Sequence, residues 1–300
     1  MSTRPAPARR PLDATGFWLL VGLSTLFAAN NLLMKLGTAG FQPVAMAALR
    51  SGIALVAVGG WMVWRGLPFR PDLWRPGLLI GVFFAAEFFL LFIALDLTTL
   101  VRATILFYAM PLWTAVLAHV LIPGERLTPL RVAGFLTGFA GVVLTLLGQA
   151  GGLAAAAGGD LRGDLMALAG GLFWALILIT ARRSRLAGAE PETVLFWQLL
   201  VSAVLLAAAV PVYGGGGFRA VDGWLVHNLL VPGLGVAGGG FLLWFWLVRR
   251  YPAGSVASFG FLTPLLSVGL AWLVLVEPVS GTTPAAVVLL AAGLWLINRR

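Results

Sequence analysis

The sequence predicts an all-α polytopic membrane protein of ten transmembrane helices, arranged as two inverted five-helix repeats with both termini in the cytoplasm. Three observations predict it. The 300-residue chain is 60% hydrophobic and 10% charged, with a mean hydropathy of +0.97, whereas a soluble domain is about 45–50% apolar and about 25% charged. So few charges cannot cover a water-facing surface. Ten runs are long enough to cross roughly 30 Å of hydrocarbon at about 1.5 Å per residue. The basic residues, finally, fall in every second loop.

In chain order, residues 1–13 are polar, basic and Pro-rich and read as a cytoplasmic tail. The apolar run behind them is too long for the core of a signal peptide and reads as a retained helix. The predicted spans are Thr15–Leu36, Val44–Trp64, Leu73–Leu95, Thr99–Leu121, Thr128–Gly148, Leu161–Ala181, Pro191–Tyr213, Asp222–Leu247, Gly254–Val276 and Gly281–Ile297. Residues 14–150 hold the first five and residues 161–300 the second five, within one integral membrane domain. The Gly/Ala-rich stretch 151–160 between them is a periplasmic linker of flexible composition. Twelve tryptophans suit the two interfaces, where an amphipathic ring favours the headgroup level.

Charge sets the direction. With the N-terminus inside, fifteen of the twenty basic residues, from Arg4 to Arg300, fall on the inner side; Lys35, Arg102, Arg162 and Arg219 fall outside, and Arg50 lies within a span. The net charge of +9 is therefore a topology signal rather than a nucleic-acid footprint. Cysteine is absent, which excludes disulfides, thiolate metal sites and a Cys nucleophile.

The halves repeat. Tyr108-Ala-Met-Pro111-Leu in span four answers Phe261-Leu-Thr-Pro264-Leu in span nine, and Glu125 and Gly141 are spaced as Glu277 and Gly293. Leu26-Phe27-Ala28-Ala29 resembles Leu172-Phe173-Trp174-Ala175; Pro43 matches Pro191, and Gly81 matches Gly235. Five spans per half is an odd number, so the second half must be inverted. Inverted repeats suit alternating access, because two similar halves can exchange conformations.

These landmarks, Pro111, Gly124-Glu125 and Gly141 with Pro264, Glu277 and Gly293, resemble the EamA-type branch of the drug/metabolite transporter superfamily over essentially the whole chain after Asp13. Within that branch the chain is most similar to the YddG-type exporters of aromatic amino acids. The second half departs from the pattern: Pro278 follows Glu277, and no glycine precedes it. The resemblance implies an exporter of the bacterial inner membrane, without a cofactor. Its central cavity would be lined by spans one, three, four, six, eight and nine, with spans five and ten outside it, free to pack or dimerise. Monomer and homodimer both remain open.

Several residues are candidates for transport. Glu87 is the only acid deep within a span, where a charge costs roughly 2.5–3.5 kcal/mol on insertion scales, so it should face the interior. Arg50 lies at nearly the same depth, and the two are candidates for an ion pair, structural or functional. Lys35, the only lysine, tops span one about a turn above Asn30 and Asn31. A cation and amides suit an amino acid's polar groups, and snorkelling of Lys35 to the interface is the alternative. Pro111 and Pro264 are expected to kink their spans and free a carbonyl, making them candidate gating elements. Tyr108 and Phe261, each three residues before a proline, join Trp174 and Trp244 as a candidate aromatic wall for a planar solute. Gly77, Gly81, Gly134, Gly138 and Gly141 permit close helix approach.

Other signals are discounted. Gly233, Gly235 and Gly238 match a dinucleotide fingerprint but lie in a span with no strand before them. His119 and His227 have no third ligand at metal spacing, so no metal is expected. Asp96, Asp160, Asp164, Glu190 and Glu192 sit at loop edges and read as solvated. The expected partners are an amino-acid-like solute and the lipid bilayer. Within transport, a carrier for another solute, a drug or other metabolite, is the alternative; the competing class, a lipid-modifying membrane enzyme, would need His, Asp, Ser or Lys converging at one interface, and none do.

Overall fold

Helices form where the apolar runs lie. The computed structural model describes residues 12–122, 128–147, 159–213, 217–220, 223–251, 259, 262–277 and 281–298. All the regular structure among them is helical, apart from an isolated antiparallel bridge between Phe41 and Phe218. Seven helices are long and apolar enough to cross a membrane, and three shorter apolar ones stand where spans five, nine and ten were expected.

Spans one to three are α1 (Ala14–Gly37), α2 (Pro43–Trp64) and α3 (Trp74–Leu97), the last entered by a 3₁₀ turn at Pro71–Leu73. Span four is two helices, α4 (Leu100–Phe107) and α5 (Met110–Leu121). The second half begins after α6 (Pro129–Leu147) with α7 (Leu161–Arg183) and α8 (Pro191–Tyr213). Span eight comprises α9 (Gly223–Leu230), a π-helical stretch over Val231–Gly240 and α10 (Phe241–Arg250). Then come α11 (Leu262–Val274) and α12 (Thr282–Asn298).

Local chemistry sets the starts. Asp13 caps α1, its Oδ1 accepting from the Gly16 N–H at 2.7 Å, and Asp160 caps α7 from Arg162 N–H at 2.8 Å. Pro43 opens α2, where its missing N–H leaves no bond unmade. The same rule shapes span four. Rather than bending one continuous helix, Pro111 lies in the first turn of a new one, and the chain breaks at Tyr108–Ala109. The ten residues of the π-helical stretch include five glycines, and single-turn π elements usually mark functional sites.

Packing joins the two halves. α3 packs on α7 and α8, α2 on α8, α6 on α12, and α1 on α11 and on the π-helical stretch, which also meets α2. The pairing is reciprocal: span three meets six and seven, and span eight meets one and two. Close approach depends on glycine. A Cβ on Gly81 would run into Val201 of α8, and one on Gly293 would overlap the backbone of Gly134 and Gly138 in α6. At the N-terminal end of α1, the Tyr251 hydroxyl donates to Asp13 at 2.8 Å, Ser24 donates to the Phe259 carbonyl at 3.1 Å, and the Phe17 ring packs edge-on to Phe259.

One acid was misread. Asp164 is not solvated; its side chain is fully buried against Arg102 and Thr98. It stands one turn above the Asp160 cap, and the face it occupies turns toward α4, from which its arginine comes.

Candidate functional site

Where α1, α3, span four, α7, span eight and α11 converge, they enclose a cavity. Its volume is about 130 Å³. Its lining from α1 is one helical stripe, Leu23, Phe27, Asn30, Asn31 and Met34. α3 adds Glu87, Phe88 and Leu91; the break in span four adds Phe107, Tyr108 and Met110; α7 adds Trp174. Val236, Phe241 and Trp244 come from span eight and Thr263 from α11. Arg50 enters from α2, a span the family resemblance did not place at the cavity.

The polar groups here are few, and three of them, Asn30, Arg50 and Glu87, hold atoms without a partner. Glu87 is 0% exposed and Arg50 1%. Both oxygens of Glu87, the Nε and Nη1 of Arg50 and the Oδ1 of Asn30 have no hydrogen-bond partner. The Arg50 guanidinium lies over the Phe88 ring with its carbon 4.1 Å from the centroid, a cation–π contact that covers a face of the group and makes no hydrogen bond. Arg50 and Glu87 are near enough to feel each other's charge, but no hydrogen bond joins them. Asn31 donates to Ser267 Oγ at 3.1 Å, and the Tyr108 phenol sits against Asn31 and Thr263.

The rest of the wall is aromatic. Phe241 links Phe27 and Trp174, with ring centroids 5.8 Å and 6.0 Å away, and Trp244 lies 6.5 Å from Phe27. A mainly apolar cavity with a few unsatisfied polar atoms is the usual form of a small-molecule site.

Of the residues expected at a site, the fold brings Asn30, Asn31, Arg50, Glu87, Tyr108, Trp174 and Trp244 to this one cavity. Pro111 and Pro264 stand beside lining residues, Met110 and Thr263, Pro111 in the first turn of α5 and Pro264 within α11. Phe261 lies outside the described residues, as do Gly124 and Glu125. Lys35 does not line the cavity. Its ammonium donates to the Leu95 and Thr98 carbonyls at 2.5 Å and 2.7 Å, closing the C-terminal end of α3. Phe27, Phe88 and Phe241 line the cavity without having been among the residues expected there. Phe27 was within reach of sequence reasoning: it lies three residues before Asn30, on the same helical face, inside the quoted repeat.

A second polar cluster surrounds Lys35. Arg102 Nε donates to both oxygens of Asp164, at 3.0 Å and 3.1 Å, and its Nη2 also pairs with Oδ2. Thr98 donates to the same carboxylate at 2.8 Å. Glu277 reaches from the second half to accept the Leu100 and Val101 N–H groups at 2.8 Å and 3.0 Å, placing a negative charge at the N-terminus of α4. Arg219 forks onto Asp96, a contact that holds its guanidinium above the usual arginine range. Among the described residues, no group of three or more His, Asp or Glu side chains is placed to hold a metal ion.

The family model for EamA-like transporters matches residues 14–147 and 161–299. The chain belongs to the EamA-like transporter family. It is a multi-span membrane transporter and not an enzyme. An uncharacterized protein of Pseudomonas aeruginosa, PA1977, is 30% identical over 300 residues, covering 97% of this chain and 95% of that one. The aromatic amino acid exporter YddG of Ancylobacter novellus is 31% identical over 188 residues, 63% of each chain. A solved crystal structure matches with a TM-score of 0.66 at 25% identity, over 94% of this chain and 97% of the other.

Proposed function

We propose that this transporter exports small amphipathic metabolites, aromatic amino acids foremost, across a bacterial inner membrane. The supporting observation is the cavity: an aromatic wall of Phe27, Trp174, Phe241 and Trp244 beside unpartnered polar groups, at the junction of the two halves. The likeness to the YddG of Ancylobacter novellus supports the same substrate class.

The mechanism is alternating access. Two inverted repeats, 14–150 and 161–300, rock about the cavity. Reciprocal packing of spans three and eight against opposite halves supports that symmetry. The cytoplasmic face is the end of α1 that carries Asp13, with both chain termini, as the distribution of basic residues requires. The polar cluster around Lys35 and Glu277 then lies on the periplasmic side, where Glu277 holds one half to the other.

Flux measured in proteoliposomes of the purified protein, with an amino-acid panel and with or without a pH gradient, tests the reading. Accumulation of phenylalanine, tyrosine or tryptophan above protein-free vesicles is expected. Transport of none of the panel overturns it.

A further inference from the structure

Arg50 and Glu87 are the two buried charges that the fold leaves without hydrogen-bonding partners for most of their polar atoms, and both face the same cavity. A buried charge is retained at low cost only when something compensates it. Here the protein does not compensate through hydrogen bonds. The two side chains do not bond each other, and Phe88 takes only a face of the guanidinium. What both need is supplied by one ligand carrying an anion that accepts from the guanidinium and a cation that donates to the carboxylate.

From this we infer that Arg50 and Glu87 form a zwitterion clamp. Arg50 takes the substrate's carboxylate, Glu87 takes its ammonium, and Asn30 Oδ1 offers a second acceptor to the ammonium. Guanidinium edges suit a carboxylate, because planar N–H pairs can meet both oxygens. The charges come from α2 and α3, whereas the aromatic wall comes from α1, which also carries Asn30, and from α7 and α10. Selection against singly charged molecules follows. An amine without the carboxylate leaves Arg50 unpaired, and an acid without the ammonium leaves Glu87 unpaired.

The inference rests on the proposed export of amphipathic metabolites, and the experiment separates the two. Purified full-length protein in proteoliposomes is offered phenylalanine, leucine, phenethylamine and 3-phenylpropionate, with binding followed in parallel by tryptophan fluorescence. Wild type should prefer phenylalanine over both singly charged analogues by at least about thirtyfold, the low end for leaving a buried partner charge unpaired. Glu87→Gln should lose phenylalanine and gain 3-phenylpropionate relative to it. Arg50→Gln should shift the opposite way, toward phenethylamine.

Crossed shifts of this kind support the clamp even where one variant's absolute flux is low, because each is a ratio within one preparation. If either variant folds poorly, Asn30→Ala and Arg50→Lys provide a milder pair, expected to weaken preference over the acid and over the amine respectively. Wild type that carries both zwitterions, with variants that keep the original preference order, overturns the clamp and spares the proposed function. Wild type that carries none of the four solutes overturns both.

Discussion

Arg102 and Asp164 are buried and bonded through three guanidinium contacts, with Thr98 on the same carboxylate. Arg50 and Glu87 are at least as buried, share a cavity, and make no hydrogen bond to each other. The chemistry of the two pairs is the same; their satisfaction is opposite. Where every donor and acceptor is matched, removal of one partner strands the other in a low-dielectric interior, and stability falls. Where hydrogen bonds are missing and only proximity and a ring face compensate the charges, the fold already carries part of the cost of burial, and removal of one charge costs less. The first arrangement is how a bundle end is held together. The second is how a site is kept ready for a ligand.

The largest expected effect comes from breaking the matched pair. Arg102→Ala should cost about 3–5 kcal/mol by leaving Asp164 buried and unpaired, read as a loss of thermal stability in detergent. An unchanged melting temperature would erase the distinction between the pairs. Glu87→Gln is the mirror experiment. Its stability should fall clearly less than that of Arg102→Ala while phenylalanine flux collapses, and an equal loss of stability would mean that the cavity pair is scaffolding after all.

Lys35 sharpens the contrast from the side of the matched cluster. Lys35→Met removes charged hydrogen bonds to two carbonyls and should cost about 1.5–3 kcal/mol of stability, with the order of substrate preference unchanged in a competition assay. Trp174→Ala acts on the cavity alone. It removes a ring packed 6.0 Å from Phe241 and an interaction of about 0.5–1.5 kcal/mol with a stacked aromatic solute, so phenylalanine flux should fall several-fold more than leucine flux. Equal losses would count against a stacking wall.

The smallest effect is a pH dependence at the N-terminal end of α1. The Gly16 N–H, and after it the Tyr251 hydroxyl, hold the Asp13 carboxyl below the usual aspartate range. A lowered folded-state value stabilises the fold above the ordinary aspartate pKa of about 3.9, and that contribution disappears as pH falls through the lowered value. Acid melting curves of wild type and Asp13→Asn should therefore differ at neutral pH and converge at the acid end.

How far each region could be read in advance follows from how local its signal is. Membrane spans declare themselves within about 20 consecutive residues, so all ten predicted spans have apolar helices at their positions. Glu87 was legible because an isolated acid in a span has few places to go. Equal depth also put Arg50 beside it, and both do line one cavity; that they would be left unbonded was not visible in the spacing. Asp164 was misread because it sits in the first turn of α7, where acids are commonly wet, and its partner is 62 positions away. For Lys35 the neighbours in sequence were amides, but the groups it meets are carbonyls 60 and 63 positions on. The proline in span four announced an interruption; its form, a break ending at Tyr108 with a new helix from Met110, depended on how α5 and α7 pack.

Composition, run length and the alternation of basic loops are properties of short stretches of chain, and they were enough to imply a ten-span membrane protein and to nominate its few intramembrane charges. Which charges are matched is not such a property. It turns on which helix faces meet, and those faces are brought together by packing between the halves, through glycine contacts such as Gly81 with Val201 and Gly293 with Gly138. Two arginines of identical chemistry thereby come to stand one in a closed network and one at an open cavity.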